Sequence, residues 1–269
     1  MLLHTQIWGD RHKPHLVFLH GFLGNGQDWQ SVIELLVNDY CCITLDLPGH
    51  GKSASVQVNS MHQSIELIEQ TLIFHGISRY LLIGYSLGAR HAAFATCFHL
   101  LSGVRALLLE GANLGGLSQD EKQQRLYTDT QWANILGHQP LQDFLQLWYQ
   151  QSVFSSLSAQ EQKKLIEFRL HLIGDGDKPH PQLAKMLLAA SLAKQPDLRA
   201  KMAHIDQPIA YVVGNKDKKF SQLVKNYPIS DIYILNSGHN GHLETPEEFA
   251  QSLVHFIQKY QANFVKSDL

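Results

Sequence analysis

The chain has 269 residues and a mass of 30.4 kDa, enough for one large domain with a sizeable insertion and a well-filled core. Its 22 Lys and Arg against 24 Asp and Glu give a formal charge of -2 with no basic run, which argues against nucleic acid or a membrane surface as partner. Hydrophobic residues at 44% and charged residues at 17% fit a globular protein; with no membrane-length apolar run and no secretion-signal pattern at the start, a cytoplasmic location is expected.

The first apolar run, residues 16–19, reads as a buried strand, and residues 41–45 read likewise. A helix is expected next, because Met61, Ile65, Ile68 and Leu72 recur at helical spacing and Gly76 stands where it should stop. Further strand-like runs follow at 80–84 and 106–109. Between about 115 and 203 the alternation breaks. No strand-like run occurs there, and Ser118-Gln-Asp-Glu121 and Ser158-Ala-Gln-Glu161 each read as a capping box opening a helix. Strand-like runs resume at 209–213 and 232–235. Thr245-Pro-Glu-Glu248 then reads as an N-cap, a proline at the first helical position and a capping-box glutamate, opening a last helix through Phe249, Leu253 and Phe256. This order predicts an α/β fold with a mostly parallel sheet flanked by helices. Residues 1–114 and 204–269 would form one discontinuous core, and 115–203 a helical cap inserted into it. Cys41, Cys42 and Cys97 are an odd number with no metal-ligand spacing, and are expected to be buried free thiols.

The strongest chemical signal is Gly84-Tyr-Ser86-Leu-Gly88, which follows an apolar strand and precedes a helical stretch. That context is the nucleophile elbow: the glycines allow a sharp turn that projects Ser86 from the strand's carboxyl end. A serine needs a base, and the base needs an orienting carboxylate, here expected in the chain order Ser, acid, His. Asp217 fits the acid, after the strand at 209–213; its bland alternative is a turn-forming aspartate. His239 fits the base, following Gly238 in the turn that leaves the strand at 232–235. His242 is the rival, with a solvated loop histidine as its bland reading. The backbone N–H groups of Leu87 and Phe22 are the expected oxyanion-hole donors, Phe22 lying in His20-Gly-Phe-Leu-Gly24 after the first strand. Asp46-Leu-Pro-Gly-His-Gly-Lys-Ser53 reads as a structural turn.

These motifs, in this order, resemble the α/β-hydrolase fold over nearly the whole chain. Gly84-Tyr-Ser-Leu-Gly-Ala-Arg90, Asn215-Lys-Asp-Lys-Lys-Phe220 and Gly238-His-Asn-Gly-His-Leu-Glu-Thr-Pro246 resemble, more narrowly, the 2-succinyl-6-hydroxy-2,4-cyclohexadiene-1-carboxylate synthase family of menaquinone biosynthesis. The resemblance implies a Ser86, Asp217 and His239 triad, with Tyr85, Arg90, Arg125, Trp148 and Arg169 as substrate-binding residues. It also implies a lyase that eliminates pyruvate from a small polycarboxylate, with no cofactor, no metal and no obligate protein partner. Ala89 stands where that family more often has glycine.

Without the family, Arg90 lies one helical turn from Ser86, where its planar fork would suit a carboxylate; pairing with a structural Asp or Glu is the equal alternative. Trp148 shares an apolar set with Leu141, Phe144 and Leu145, so helix packing is its default role. Arg125 and Arg169 are by default solvated surface charges. A serine hydrolase of esters or carbon–carbon bonds would use the same triad, and a non-catalytic binding module would keep the same fold. The arginines favour the lyase.

Overall fold

The computed structural model describes residues 1–261; residues 262–269, which end the core segment 204–269, lie outside that range. The chain opens with strands β1 (Thr5–Trp8) and β2 (His15–Leu19), helix α1 (Gln30–Leu36) and strand β3 (Cys41–Leu45). Helix α2 (Met61–Phe74), strand β4 (Tyr80–Tyr85), helix α3 (Leu87–Cys97) and strand β5 (Val104–Glu110) follow. Five helices come next: α4 (Gln119–His138), α5 (Leu141–Trp148), α6 (Ala159–Ile173), α7 (Pro181–Ala189) and α8 (Arg199–Met202). The core resumes with β6 (Ile209–Gly214), α9 (Lys218–Leu223), β7 (Asp231–Leu235), α10 (Gly241–Glu244) and α11 (Pro246–Lys259).

The strands form one sheet in the order β1-β3-β2-β4-β5-β6-β7, parallel throughout except for β1, which pairs antiparallel with β3. Because the strands are parallel and alternate their side chains, each feeds both faces of the sheet. Leu16, Phe18, Leu81, Ile83, Ala106 and Leu108 pack on one face with Val32 and Ile33 of α1 and Phe249, Leu253 and Phe256 of α11. Val17, Leu19, Leu82, Leu107 and Leu109 pack on the other with Ile65, Ile68 and Leu72 of α2 and the alanines of α3. All three cysteines are buried and free.

The parallel arrangement brings the carboxyl ends of β2, β4, β5, β6 and β7 to one edge, where ligands bind in open α/β sheets. Register fixes the neighbours: Leu19 lies opposite Gly84, Tyr85 opposite Glu110, and Gly214 opposite Leu235. Above this edge, helices α4 to α7 share an apolar cluster containing Leu136, Leu141, Phe144, Leu145 and Leu183, and Leu23 of the core joins it.

The structure adds one strand to those expected and changes one helix cap. The edge strand β1 was not foreseen, because only Ile7 among its four residues is aliphatic and none is buried. Thr245 is no capping box: its hydroxyl donates to the Gly241 carbonyl at 3.2 Å, and Glu248 accepts instead from the Asn236 N–H at 2.8 Å. Both other capping boxes form, at Ser118 with Glu121 and at Ser158 with Glu161. No helix among the described residues is long and apolar enough to cross a membrane.

Candidate active site

Ser86 sits between β4 and α3 at φ 47° and ψ -103°, a conformation that L-residues rarely adopt. Such a turn costs on the order of 1–3 kcal/mol and persists only where packing enforces it. Two features enforce it here. The Ser86 N–H donates to the Glu110 carbonyl at 2.8 Å, and the Arg90 N–H closes the first helical turn on the Ser86 carbonyl at 3.0 Å. The flanking glycines are obligatory on steric grounds. A Cβ on Gly88 would stand 2.3 Å from the Leu19 carbonyl oxygen, and one on Gly84 would stand 2.6 Å from the Ala89 backbone.

Asp217 and His239 meet although they lie 22 residues apart: Nδ1–H of the imidazole donates to Asp217 Oδ2 at 2.6 Å. The other carboxylate oxygen accepts from the Phe220 N–H at 3.1 Å, so Asp217 is also the N-cap of α9. One carboxylate thus serves both the turn and the imidazole. The His239 ring lies among Phe220, Tyr85 and Phe154, with centroid distances of 4.7, 5.4 and 6.0 Å. It is seated directly on Gly111, where a Cβ would come within 2.8 Å of His239 Cε1. Gly111 adjoins Glu110, whose carbonyl holds the Ser86 amide.

The loop carrying Phe22 is set by His20. The Leu47 N–H donates to His20 Nε2 at 2.9 Å, so the ring proton is on Nδ1 and donates to the Gly21 carbonyl at 2.7 Å. Burial lowers the His20 pKa against the pull of Asp46, so the ring serves as a neutral strut. No hydrogen bond to the Phe22 or Leu87 N–H occurs among the described residues, and Leu87 is the first residue of α3, whose amide has no intrahelical acceptor. Asp46 is structural as expected, accepting from the Gly26 and Lys52 amides, each at 2.8 Å.

The three arginines singled out in the sequence have different partners. Arg90 is 9% exposed; its Nε donates to Gln195 Oε1 at 2.7 Å and its Nη2 to the Ala190 carbonyl at 2.6 Å. Burial, and then the Arg125 cation, bring its pKa down to about 9 against the attraction of Asp129, and it stays protonated at neutral pH. Arg125 is half-buried, with Nε 2.9 Å from Asp129 Oδ1. Arg169 is buried, with Nη1 2.6 Å from Asp28 Oδ1 and Nε donating to the Tyr149 hydroxyl at 3.2 Å. Burial opposes its charge, but Asp28 and Tyr149 outweigh that, and the net shift is upward. Trp148 stacks on Phe144, meets Trp132 edge-on, and touches Phe22 across the gap to the core, with centroids 5.4, 5.3 and 5.2 Å away.

The alpha/beta hydrolase fold family matches residues 14–256. The chain is 39% identical to the 2-succinyl-6-hydroxy-2,4-cyclohexadiene-1-carboxylate synthase of Yersinia pestis (strain Pestoides F) over 246 residues, 91% of this chain and 88% of that one. It belongs to the 2-succinyl-6-hydroxy-2,4-cyclohexadiene-1-carboxylate synthase family of α/β-hydrolases. Among solved structures, MenH from S. aureus matches with a TM-score of 0.84 and 25% identity, covering 96% of this chain and 99% of that one. A thermophilic esterase from Thermogutta terrifontis shares the fold at a TM-score of 0.77 and 20% identity, over 96% and 93% of the two chains.

As a synthase-family chain it places several residues differently from the bland sequence readings. His242 is not a solvated loop histidine: it is fully buried, with Nδ1 2.7 Å from Glu110 Oε2. Arg169 is not a surface charge, and Arg90 has no carboxylate among its hydrogen-bond partners. Tyr85 is buried and its hydroxyl donates to Asn240 Oδ1; burial, and then Glu110, hold its pKa well above the ordinary value, so it remains a donor. Asp28, Glu110, Gln195 and Asn240 went unnoticed in the sequence. Each acts on a partner far along the chain, and no local motif marks them. No cluster of three or more His, Cys, Asp or Glu side chains suited to a metal ion occurs among the described residues.

Proposed function

We propose that this chain eliminates pyruvate from 2-succinyl-5-enolpyruvyl-6-hydroxy-3-cyclohexene-1-carboxylate, giving 2-succinyl-6-hydroxy-2,4-cyclohexadiene-1-carboxylate. Membership of the synthase family supports this reaction. The observation that carries it to this site is Arg90, a buried cation beside the elbow with only neutral hydrogen-bond acceptors. The substrate bears three carboxylates, and such a guanidinium suits one of them.

The ring proton next to the succinyl ketone is the acidic one. Ser86 removes it as a general base, passing its own proton to His239, whose orientation and developing charge are held by Asp217. The C–H electron pair forms a double bond to the ketone carbon, and the carbonyl π pair moves onto the ketone oxygen as negative charge. The Phe22 and Leu87 amides, free of other acceptors, are the donors for that oxygen. The enolate then re-forms the carbonyl, and its carbon–carbon pair becomes a new ring double bond. The existing ring double bond shifts by one position, the carbon–oxygen bond to the enolpyruvyl group breaks, and enolpyruvate leaves to become pyruvate. Tyr85, Arg90, Arg125, Trp148 and Arg169 bind the substrate in this reading. Residues 115–203 act as a cap over the core formed by 1–114 and 204–269. The reading places the enzyme in the cytoplasm, acting on a small molecule without an obligate protein partner.

Pyruvate release tests it, with substrate generated in place by the preceding enzymatic step and pyruvate followed by coupled reduction to lactate. Release well above an enzyme-free blank, and lost in Ser86→Ala, is the expected result. Release at the rate of the blank would sink the proposal, and ester substrates would then be assayed for a nucleophilic Ser86. An acyl or other covalent adduct trapped on Ser86 during pyruvate release would exclude the general-base role.

A further inference from the structure

Arg90 is a costly residue to bury without a counter-ion, and the structure goes to some length to leave it so. A buried guanidinium is ordinarily neutralised by a carboxylate, as Arg169 is by Asp28. Around Arg90 the acceptors are an amide oxygen and a peptide carbonyl. The amide cannot turn over freely, because Gln195 Nε2 donates to the Asn113 carbonyl at 2.9 Å, which directs Oε1 at Arg90 Nε. Asp129 lies close enough to be felt electrostatically, but it is taken up elsewhere. Its Oδ1 accepts from Arg125 Nε at 2.9 Å and its Oδ2 from the Ser191 hydroxyl at 2.6 Å. Nη1 of Arg90 makes no hydrogen bond among the described residues.

We infer that Gln195 is a positioning residue that aims Arg90 while leaving its charge unspent, and so sets the preference of the site for an anionic substrate. Two bonds fix the guanidinium plane, neither cancels its charge, and the Arg125 and Ser191 contacts keep the nearest carboxylate from doing so. A glutamate at 195 would fit the same space, form the same bond to Nε and neutralise the cation, while giving up the donor to the Asn113 carbonyl. This rests on the reading of Arg90 as a ligand for a substrate carboxylate.

The test compares Gln195→Glu and Gln195→Met with the parent enzyme in three measurements: kcat and KM for pyruvate release, Tm, and the rise in Tm on adding succinate as a simple dicarboxylate probe. The expected result for Gln195→Glu is a KM raised tenfold or more, kcat within about threefold, a Tm above that of Gln195→Met, and loss of the succinate response. Gln195→Met, which keeps the charge but frees the guanidinium, should raise KM by only a few-fold, lower Tm and keep a succinate response. Weaker anion binding in the better-folded of the two variants is a combination that a packing role does not produce. A Gln195→Glu enzyme with KM within twofold of the parent overturns the inference, as does Gln195→Met matching or exceeding it in KM. If Gln195→Glu does not fold, a Gln195→Met enzyme that has lost the succinate response overturns it, and one that keeps the response supports it. The two failures are distinguishable. A parent enzyme that releases no pyruvate refutes the proposed reaction, while its succinate response, present in the parent and absent in Gln195→Glu, still supports the role of Gln195.

Discussion

Glu110 holds His242 twice: its carboxylate accepts the His242 backbone N–H at 3.1 Å and the ring Nδ1–H at 2.7 Å. The Glu110 carbonyl meanwhile accepts the Ser86 N–H. One buried residue at the end of β5 therefore ties the Ser86 turn to the loop that carries His239, three positions before His242. Replacing Glu110 by Gln sets an amide donor against one of the two His242 donors. A buried hydrogen bond to a charged group is worth about 1.5–3 kcal/mol, so Tm should fall by several degrees. Activity should drop mainly in kcat, because the elements that shift are the serine and its base. A variant with the parent's Tm and kcat would show that the link carries no strain between them.

Asp217→Asn separates orientation from folding. The side-chain oxygen can still cap α9 at the Phe220 N–H, so the circular dichroism spectrum and Tm should change little. The His239 ring loses its carboxylate and favours the wrong tautomer, for which a fall in kcat of roughly 10⁴-fold is the expected order of magnitude. A loss under tenfold would argue that His239 works without it.

The Asp28–Arg169 pair joins the loop before α1 to α6 with both side chains essentially excluded from solvent. Asp28→Ala strands a buried guanidinium, and a cost of about 3–5 kcal/mol in urea unfolding is expected. The double replacement Asp28→Leu with Arg169→Met should recover most of that stability, since two apolar groups of similar size need no compensation. It should not recover substrate binding. Full activity in the double variant would remove Arg169 from the site.

His91, fully buried on α3, donates from Nδ1 to the Leu87 carbonyl at 2.8 Å. Burial depresses its pKa from 6.5 to about 4. Above pH 6.5 neither the folded nor the unfolded chain protonates it, and its contribution is constant. Between pH 6.5 and 4 the unfolded chain takes up a proton that the folded chain refuses, so stability falls with acidification, by about 3 kcal/mol over the window. His20 and His50, lowered first by burial, act in the same direction. Tm measured from pH 7 to pH 5 should decline less steeply in His91→Leu than in the parent. Parallel curves would mean that the ring titrates normally in the fold.

The sequence is most readable where chemistry is local. Strands β2 to β6 announce themselves as continuous apolar runs because both faces of the sheet are covered. At one edge β7 is apolar in sequence yet leaves Ile232 and Ile234 exposed, and at the other β1 carries only a short polar alternation. The elbow is legible because glycine spacing and strand context occur within five residues. Asp217 and His239 are legible because chain order and loop position mark them. What stays hidden is pairing at a distance. Asp28 meets Arg169 across 141 residues and Arg90 meets Gln195 across 105, and no local pattern connects either pair. Single residues cannot show whether an arginine is neutralised, and that difference separates Arg169 from Arg90 here.

Phe22 belongs to two parts of the molecule at once. Its amide is an expected donor to the developing oxyanion, while its ring rests on Trp148 of α5 and against His50. A displacement of α5 therefore withdraws support from the backbone that must be still when charge develops. A ligand too small or too neutral to hold the overlying helices in place would meet a slackened donor. In the proposed reaction, discrimination would then be exercised a second time, after entry, at the instant the proton leaves.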